Sequence, residues 1–189
     1  ITGVILAGGK SSRMGSDKGL LLVNGKPMVQ YIIDVLLKVT SNIIIISNNE
    51  EYTKFGLKVV PDLIIEKGPV GGIYTALSST TTEYNLCVSC DTPFVTEKLL
   101  NLLIKKNKEF DVTVSCYNGR VHPLIGVYKK VALETFRRSI DTSKLKLELV
   151  NRELNYQVIE VSQQNILESN FYNINAPIDL KTIEDDDKS

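Results

Sequence analysis

The sequence has little cysteine or histidine and no excess of charge of either sign. Three cysteines and one histidine occur in 189 residues, and so small and odd a number of cysteines argues against a disulfide scaffold. The 22 basic and 22 acidic residues cancel, which excludes the overall positive field of a nucleic-acid-binding protein. No apolar run reaches the roughly 20 residues of a membrane span. The run at residues 4–7 is too short for a secretory leader and has no basic flank. We therefore expect a cytoplasmic protein without nucleic-acid or membrane partners.

The few cysteines do not form a convincing metal or redox site either. Cys87 and Cys90 lie in a segment with the composition of a strand, where side chains three residues apart point to opposite faces. They are therefore poorly placed to share a zinc ion with Cys116 and His122. We expect buried, inert thiols.

What the sequence does have is a loop rich in glycine and cations after the first apolar run. Residues 6–18 read Leu-Ala-Gly-Gly-Lys-Ser-Ser-Arg-Met-Gly-Ser-Asp-Lys. Glycine lets the backbone approach a ligand and expose N–H groups to an anion, and Arg13 and Lys18 supply charge that a polyphosphate can use. The spacing is not that of a P-loop, whose first glycine would fall on Val4, and adjacent glycines do not fit the dinucleotide fingerprint. The loop predicts a nucleoside triphosphate site.

Short apolar runs rich in β-branched residues alternate with helical patterns in the first part of the chain. Strands are predicted at residues 4–7, 43–47, 58–60 and 86–90, and helices at 27–39, 69–79 and 96–106. This alternation indicates a layered α/β domain with a largely parallel sheet.

The later part of the chain breaks this rhythm. Asn118-Gly119 predicts a hairpin over residues 111–128. Helices at 130–139 and 144–153, a strand at 156–161 and a helix from Pro177 are expected to follow. We expect one domain over residues 1–184 and a disordered acidic tail over 185–189.

Three polar residues come one or two positions after predicted strands, namely Asn48, Asp62 and Asp91. Ligands of open α/β sheets bind outside the carboxyl ends of the strands, so these side chains and the glycine loop should share one cleft. Carboxylates and phosphate oxygens are the usual ligands of Mg²⁺, which makes Asp91 a candidate metal ligand. The alternative for Asp91 is a capping role in the turn that follows it.

The order of motifs resembles that of the molybdenum cofactor guanylyltransferases. After the glycine loop come Gly25-Lys26-Pro27, Gly68-Pro69-Val70-Gly71-Gly72-Ile73, Cys90-Asp91-Thr92-Pro93, His122-Pro123 and Asn173-x-Asn175-x-Pro177. The loop alone is common to many nucleotidyltransferases, whereas the ordered set covers nearly the whole chain. At Val70-Gly71 the family more often has Leu-Ala, a small departure.

The resemblance implies a three-layer, Rossmann-like nucleotidyltransferase fold with a mixed, largely parallel sheet and a C-terminal hairpin and helical part that binds substrate. It implies transfer of GMP from GTP to the terminal phosphate of molybdopterin, with Mg²⁺ as cofactor and pyrophosphate as product. The GTP-binding residues would be Leu6, Ala7, Gly8, Gly9, Lys18, Asn48, Asp62 and Asp91. Arg13, Lys18 and Asp91 would be catalytic, Asp91 would hold the metal, and Asn173 and Asn175 would bind molybdopterin.

Several alternatives remain at this point. Cytidylyltransferases acting on the same cofactor typically have Leu-Ala-Ala-Gly at the loop, so Leu-Ala-Gly-Gly favours guanine over a CTP-dependent or sugar-phosphate enzyme. A non-catalytic guanine-nucleotide-binding protein is a further alternative, as are transient contacts with molybdenum-insertion or acceptor proteins. Asn173 and Asn175 could serve only as turn residues. For His122 we expect a structural or substrate-lining role rather than that of a general base.

Overall fold

The computed structural model describes residues 1–8 and 17–174, and within these ranges the chain forms nine strands and five α-helices. The strands are β1 (Thr2–Leu6), β2 (Leu22–Val23), β3 (Lys26–Pro27), β4 (Ile43–Ile46), β5 (Lys58–Val60), β6 (Tyr84–Ser89), β7 (Val112–Tyr117), β8 (Arg120–Lys129) and β9 (Tyr156–Glu160). The helices are α1 (Met28–Leu36), α2 (Gly68–Ser79), α3 (Glu97–Lys106), α4 (Leu133–Asp141) and α5 (Leu147–Asn151). The predicted strands and helices that fall in these ranges are present, with ends that differ by a few residues. The helix expected from Pro177 and the tail at 185–189 lie outside the described residues.

Seven strands form one mixed sheet in the order β5-β4-β1-β6-β8-β7-β9. The first four are parallel to one another, β8 is antiparallel to both of its neighbours, and β9 is parallel to β7. The ends of β1, β4, β5 and β6 and the beginning of β8 therefore lie at the same side of the sheet, which we call the carboxyl edge. The largely parallel sheet is confirmed.

Helices cover both faces of this sheet and give the expected three layers. Residues of α1 and α3 pack with Ile5, Ile45 and Val88 on one face. Residues of α2, α4 and α5 pack with Val4 and Ile44 on the other. Both faces of the central strands are apolar because both are buried, as is usual for parallel strands. Within the described ranges, no helix has the length and apolar character needed to cross a bilayer.

All three thiols are free and buried, as predicted. Cys87 packs in the core on the α2 face, whereas Cys90 packs in the core on the α1 face. Burial raises the pKa of both thiols well above the ordinary value, so they stay protonated at neutral pH.

The β7–β8 hairpin has an irregular ladder near the carboxyl edge. Val114 pairs with Gly126 but Ser115 pairs with His122, so residues 123–125 of β8 bulge out of the ladder. The bulge is fixed by the Tyr128 hydroxyl, which donates to the carbonyl oxygen of Pro123 at 2.6 Å. Bulges of this kind redirect side chains.

The turn of the same hairpin is held by a carboxylate from β9. The backbone N–H groups of Asn118 and Gly119 donate to Glu160 at 3.1 and 3.0 Å, and that of Ser162 donates at 3.1 Å. Hydrogen bonds from Gly119 and then Ser162 lower the pKa of Glu160 to about 2. The carboxylate therefore stabilises the hairpin in its ionised form.

We expect Glu160→Gln to lower the free energy of unfolding at pH 7. The free energy of unfolding of this variant should also fall less than that of wild type when the pH is lowered. Since the folded pKa of about 2 is below the ordinary value of 4.5, the stabilisation is complete above pH 4.5 and is lost as the pH falls toward 2. Urea denaturation of both proteins across this range measures the effect, with the exposed Glu109→Gln as control. Parallel stability curves for wild type and Glu160→Gln would contradict this role.

Candidate functional site

A cavity of about 660 Å³ opens at the carboxyl edge, on the α2 face of the sheet. Four segments that each follow or end a parallel strand contribute to its lining, through Gly8, Asn48, Asp62 and Ser89. The β8 bulge adds Leu124. A volume between about 300 and 1,000 Å³ is usual for a small-molecule site. Residues distant in sequence thus meet where the strand-end rule places a ligand.

Asn48 and Asp62 form a reciprocal pair in this cavity. The N–H of Ser47 donates to the carbonyl oxygen of Val60 at 3.0 Å, which continues the β4–β5 ladder and makes the next residues neighbours. The Asn48 amide donates to Asp62 Oδ2 at 3.0 Å, and the Asp62 N–H donates to Asn48 Oδ1 at 2.9 Å. Burial raises the pKa of Asp62, and the hydrogen bond from Asn48 opposes that rise.

The glycine loop begins directly beside this carboxylate. A Cβ atom added to Gly8 would lie 3.6 Å from Asp62 Oδ2. Only one of the carboxylate's oxygens is used by Asn48. Asp62 can therefore accept hydrogen bonds from hydroxyl or N–H groups of a ligand in the cavity.

Asp91 lies just beyond β6 and is connected to the cavity through Ser89. The Ser89 hydroxyl donates to Asp91 Oδ1 at 2.6 Å. In the described residues, the turn after β6 is closed by Thr92, whose hydroxyl and N–H donate to the carbonyl oxygen of Ser89 at 2.9 and 3.3 Å. The Asp91 carboxylate is thereby oriented by a side chain that also lines the cavity.

Lys18 lies in the same neighbourhood as Asp91. It begins a short 3₁₀ turn over residues Lys18–Leu20. A Cβ atom added to Gly19 of this turn would lie 3.3 Å from Cys90 Cβ. The backbone that carries Lys18 therefore packs against the residue that precedes Asp91.

Asn173 lies next to a residue that contacts the backbone of Asp91. The N–H of Ile174 donates to the carbonyl oxygen of Asp91 at 2.9 Å, and the adjacent Asn173 is exposed. The structure therefore brings Asn173 to the carboxyl edge beside Asp91. Gly9, Arg13 and Asn175 lie outside the described residues, and their roles stay predictions.

His122 packs at a tilt against an aromatic ring and is not among the residues that line the cavity. Its ring centroid is 4.5 Å from that of Phe171. Burial, and then the charge of Arg120, lower the pKa of His122 to about 4. The imidazole is therefore neutral at pH 7.

The start of α2 forms a part of the cavity wall that was not predicted from the sequence. Gly68, Pro69 and Gly72 line it, and a Cβ atom at Gly72 would lie 3.4 Å from Leu6 Cδ2. A helix amino terminus offers N–H groups and partial positive charge to electronegative ligand atoms. The sequence Gly-Pro-Val-Gly-Gly at residues 68–72, at the start of a predicted helix, could have indicated this part of the cavity.

A metal ion would find few protein ligands in this region. In the part of the chain that the structure describes, no three His, Cys, Asp or Glu side chains converge. Asp91, partly exposed at a strand end, could offer one carboxylate, with other ligands coming from a phosphate or water. This donor set suits Mg²⁺ better than zinc.

The sequence is similar to proteins of one family over nearly its full length. Residues 3–154 match the family described as the MobA-like NTP transferase domain. The chain is 39% identical over 186 residues to a probable molybdenum cofactor guanylyltransferase of Flavobacterium johnsoniae, covering 97% of this chain and 96% of the relative. It is 36% identical to a protein of the same description from Pelotomaculum thermopropionicum, covering 95% and 89%.

The fold is also found in solved structures. The molybdopterin-guanine dinucleotide biosynthesis protein A of Archaeoglobus fulgidus matches with a TM-score of 0.79 and 22% identity, covering 100% of this chain and 99% of that one. This likeness shows the nucleotidyltransferase fold, and the sequence relatives show the family. The chain therefore belongs to the molybdenum cofactor guanylyltransferases, a family of nucleotide-transferring enzymes.

Proposed function

We propose that this protein transfers GMP from GTP to the terminal phosphate of molybdopterin and releases pyrophosphate. The full-length relatives support this function. The structural observation that carries it is the cavity at the carboxyl edge, where Gly8, Asn48, Asp62 and Ser89 come together and Ser89 holds Asp91. The cavity takes the nucleoside, and Lys18 and Asp91 act at the phosphates.

The nucleoside part of GTP finds both apolar and polar partners in the cavity. Leu6 and Leu124 offer apolar surface to a ring. The Asp62 carboxylate accepts hydrogen bonds, and both the ribose hydroxyls and the N–H groups of guanine can donate them. The amino terminus of α2 suits the electronegative atoms of the same ligand.

The reaction is an in-line attack by a molybdopterin phosphate oxygen on the α-phosphorus of GTP. A new oxygen–phosphorus bond forms as the bond to the β-phosphate breaks, and pyrophosphate leaves with the electron pair. The attacking phosphate has a second pKa of about 6 and is largely ionised at pH 7, so it needs no general base. The protein positions the reactants and neutralises their charge. Lys18 does this and, according to the sequence motif, so does Arg13.

Mg²⁺ is the proposed cofactor, with Asp91 as its protein ligand. The Ser89 hydrogen bond to Oδ1 fixes the carboxylate, and phosphate oxygens and water complete the usual Mg²⁺ ligand set. When bound, the ion would withdraw electron density from the α-phosphate.

Molybdopterin is proposed to bind beside Asp91, on the side of Asn173. The Ile174 hydrogen bond to Asp91 places the exposed Asn173 there, and the motif adds Asn175. We also propose action in the cytoplasm and transient contacts with molybdenum-insertion or acceptor proteins.

The direct test is pyrophosphate release by the purified protein with GTP, CTP, UTP or ATP. We expect release with GTP only when both molybdopterin and Mg²⁺ are present. A clear preference for CTP would indicate a cytidylyltransferase instead. Tight GTP binding with no release under any condition would favour a non-catalytic nucleotide-binding protein.

Lys18→Ala and Asp91→Ala should each lower kcat by about 10²–10³ with the fold intact, because each removes a charged group near the reacting phosphates. Single-turnover GMP transfer measures the effect. The matched controls are Lys54→Ala and Asp141→Ala, which change exposed residues of surface ion pairs. Turnover close to that of the controls would remove the residue concerned from the mechanism.

Asp62→Asn should weaken GTP binding about 10-fold or more, since hydrogen bonds to a charged group are each worth about 1.5–3 kcal/mol. It should not lower the free energy of unfolding at pH 7. Because burial raises the pKa of Asp62 in the folded state, its contribution to stability is largest below the unfolded pKa and falls as the pH rises through the folded pKa.

Calorimetric titration with GTP and urea denaturation at pH 7 measure the two effects of Asp62→Asn. Unchanged GTP affinity would show that the Asp62 carboxylate does not contact the nucleotide. A clear loss of stability would show that it serves the fold instead.

A further inference from the structure

We propose that Tyr52 and Asn49 are positioning residues that hold Lys18 at the triphosphate through the carboxylate of Asp17. This inference rests on the proposed function, because it takes Lys18 to contact the phosphates. Neither Tyr52 nor Asn49 is expected to touch the substrate.

The first observation is that Asp17 is held from two directions. Within its own turn, Oδ1 accepts from the N–H of Gly19 at 3.1 Å. From the segment after β4, the Tyr52 hydroxyl donates to Oδ1, and the Asn49 amide donates to Oδ2 at 3.1 Å. A carboxylate that only capped its turn would need the Gly19 contact alone.

The second observation is that one of these donors comes from the core. Tyr52 has an exposed fraction of 0% and packs with the α1-face core. Burial raises the pKa of its hydroxyl further above the ordinary value, so the hydroxyl keeps its proton and acts as a donor. Because a buried hydroxyl without a partner is costly, Tyr52 fixes the place of the Asp17 carboxylate.

The third observation is the close fit of the turn against Tyr52. Gly19 is buried, and a Cβ atom added there would overlap the Tyr52 hydroxyl oxygen. Glycine is therefore the residue that lets the backbone lie directly on the tyrosine. A turn seated this closely has little freedom to shift.

Lys18 lies between the two residues of this turn that contact Tyr52. The turn also packs against Cys90, the residue before Asp91, since a Cβ atom added to Gly19 would lie 3.3 Å from Cys90 Cβ. Lysine is a flexible side chain whose ammonium group must be positioned to stabilise a developing charge. A displacement of about 1 Å can cost up to about 10² in rate, so an anchored backbone at Lys18 has a direct catalytic value.

The same short segment supports both ends of the nucleotide. Asn48 contacts Asp62 in the nucleoside cavity, whereas the next residue, Asn49, contacts Asp17 at the phosphate end. The distance between the two ends is therefore set by adjacent residues of one chain segment. Because GTP spans both ends, its binding should depend on this distance more than the binding of a shorter nucleotide does.

The test compares Tyr52→Phe with Tyr31→Phe, whose hydroxyl donates to the carbonyl oxygen of Val23 at 2.9 Å. Each change removes one hydrogen-bonded hydroxyl. We expect Tyr52→Phe to lower kcat for GMP transfer roughly 10-fold, less than Lys18→Ala, because Gly19 and Asn49 still hold Asp17. Tyr31→Phe should leave kcat unchanged. Equal kcat values for the two variants would overturn the proposal.

A double-mutant cycle separates positioning of Lys18 from a general structural effect. If Tyr52 acts through Lys18, adding Tyr52→Phe to Lys18→Ala should lower kcat no further. The same roughly 10-fold loss in both backgrounds would show that Tyr52 acts independently of Lys18 and would overturn the proposal.

Binding gives a readout that does not depend on turnover. Tyr52→Phe should weaken GTP binding several-fold while GMP binding stays as in wild type, since only GTP reaches Lys18. Equal losses for both nucleotides would overturn the positioning role. Failure of the wild type to transfer GMP, with the GTP-selective loss still present, would instead refute the proposed reaction and leave the Tyr52–Asp17–Lys18 link standing.

Discussion

Hydrogen bonds that continue the β-ladders one residue past the strand ends hold the carboxyl edge together. Ala7 N–H donates to the carbonyl oxygen of Ile46 at 2.9 Å, and Cys90 N–H donates to that of Leu6 at 3.1 Å. With the Ser47–Val60 bond between β4 and β5, they align the ends of four strands. Because side chains alternate along a strand, a register slip of one residue would send each following polar group to the wrong face. The cleft is thus a consequence of strand register.

The pKa values of two carboxylates in this protein are shifted in opposite directions because their surroundings differ. Glu160 receives three backbone N–H groups and its pKa is lowered, so its charge strengthens the fold. Asp62 has a raised pKa, because burial outweighs the one amide that contacts it. A carboxylate kept short of partners can accept hydrogen bonds from a ligand instead.

The sequence alone predicted the layered fold and the residues that follow strand ends, because both depend on local patterns and on one general rule for parallel sheets. The positions of Asn48, Asp62 and Asp91 at the carboxyl edge were predicted in this way. The place of Leu124 in the cavity and the contact of Tyr52 with Asp17 could not be predicted, since one depends on an irregular ladder and the other joins residues 35 positions apart. In the sequence, an apolar or aromatic residue that contacts a site has the same pattern as one that only packs in the core. Only tertiary contacts distinguish the two. Arg13 lies outside the described residues, so its role remains a prediction.

In the described sheet, β8 alone is antiparallel to both of its neighbours. It therefore begins at the carboxyl edge, where the four parallel strands β1, β4, β5 and β6 end. Its first residues extend past the last pair with β6, which joins Val88 to Ile125. The exposed turn at Asn118 and Gly119 therefore projects beyond the last β6–β8 pair, and Glu160 of β9 holds it there. Through Leu124, a β-hairpin outside the parallel part of the sheet thus supplies one wall of a cavity whose other strand-end residues all follow or end parallel strands.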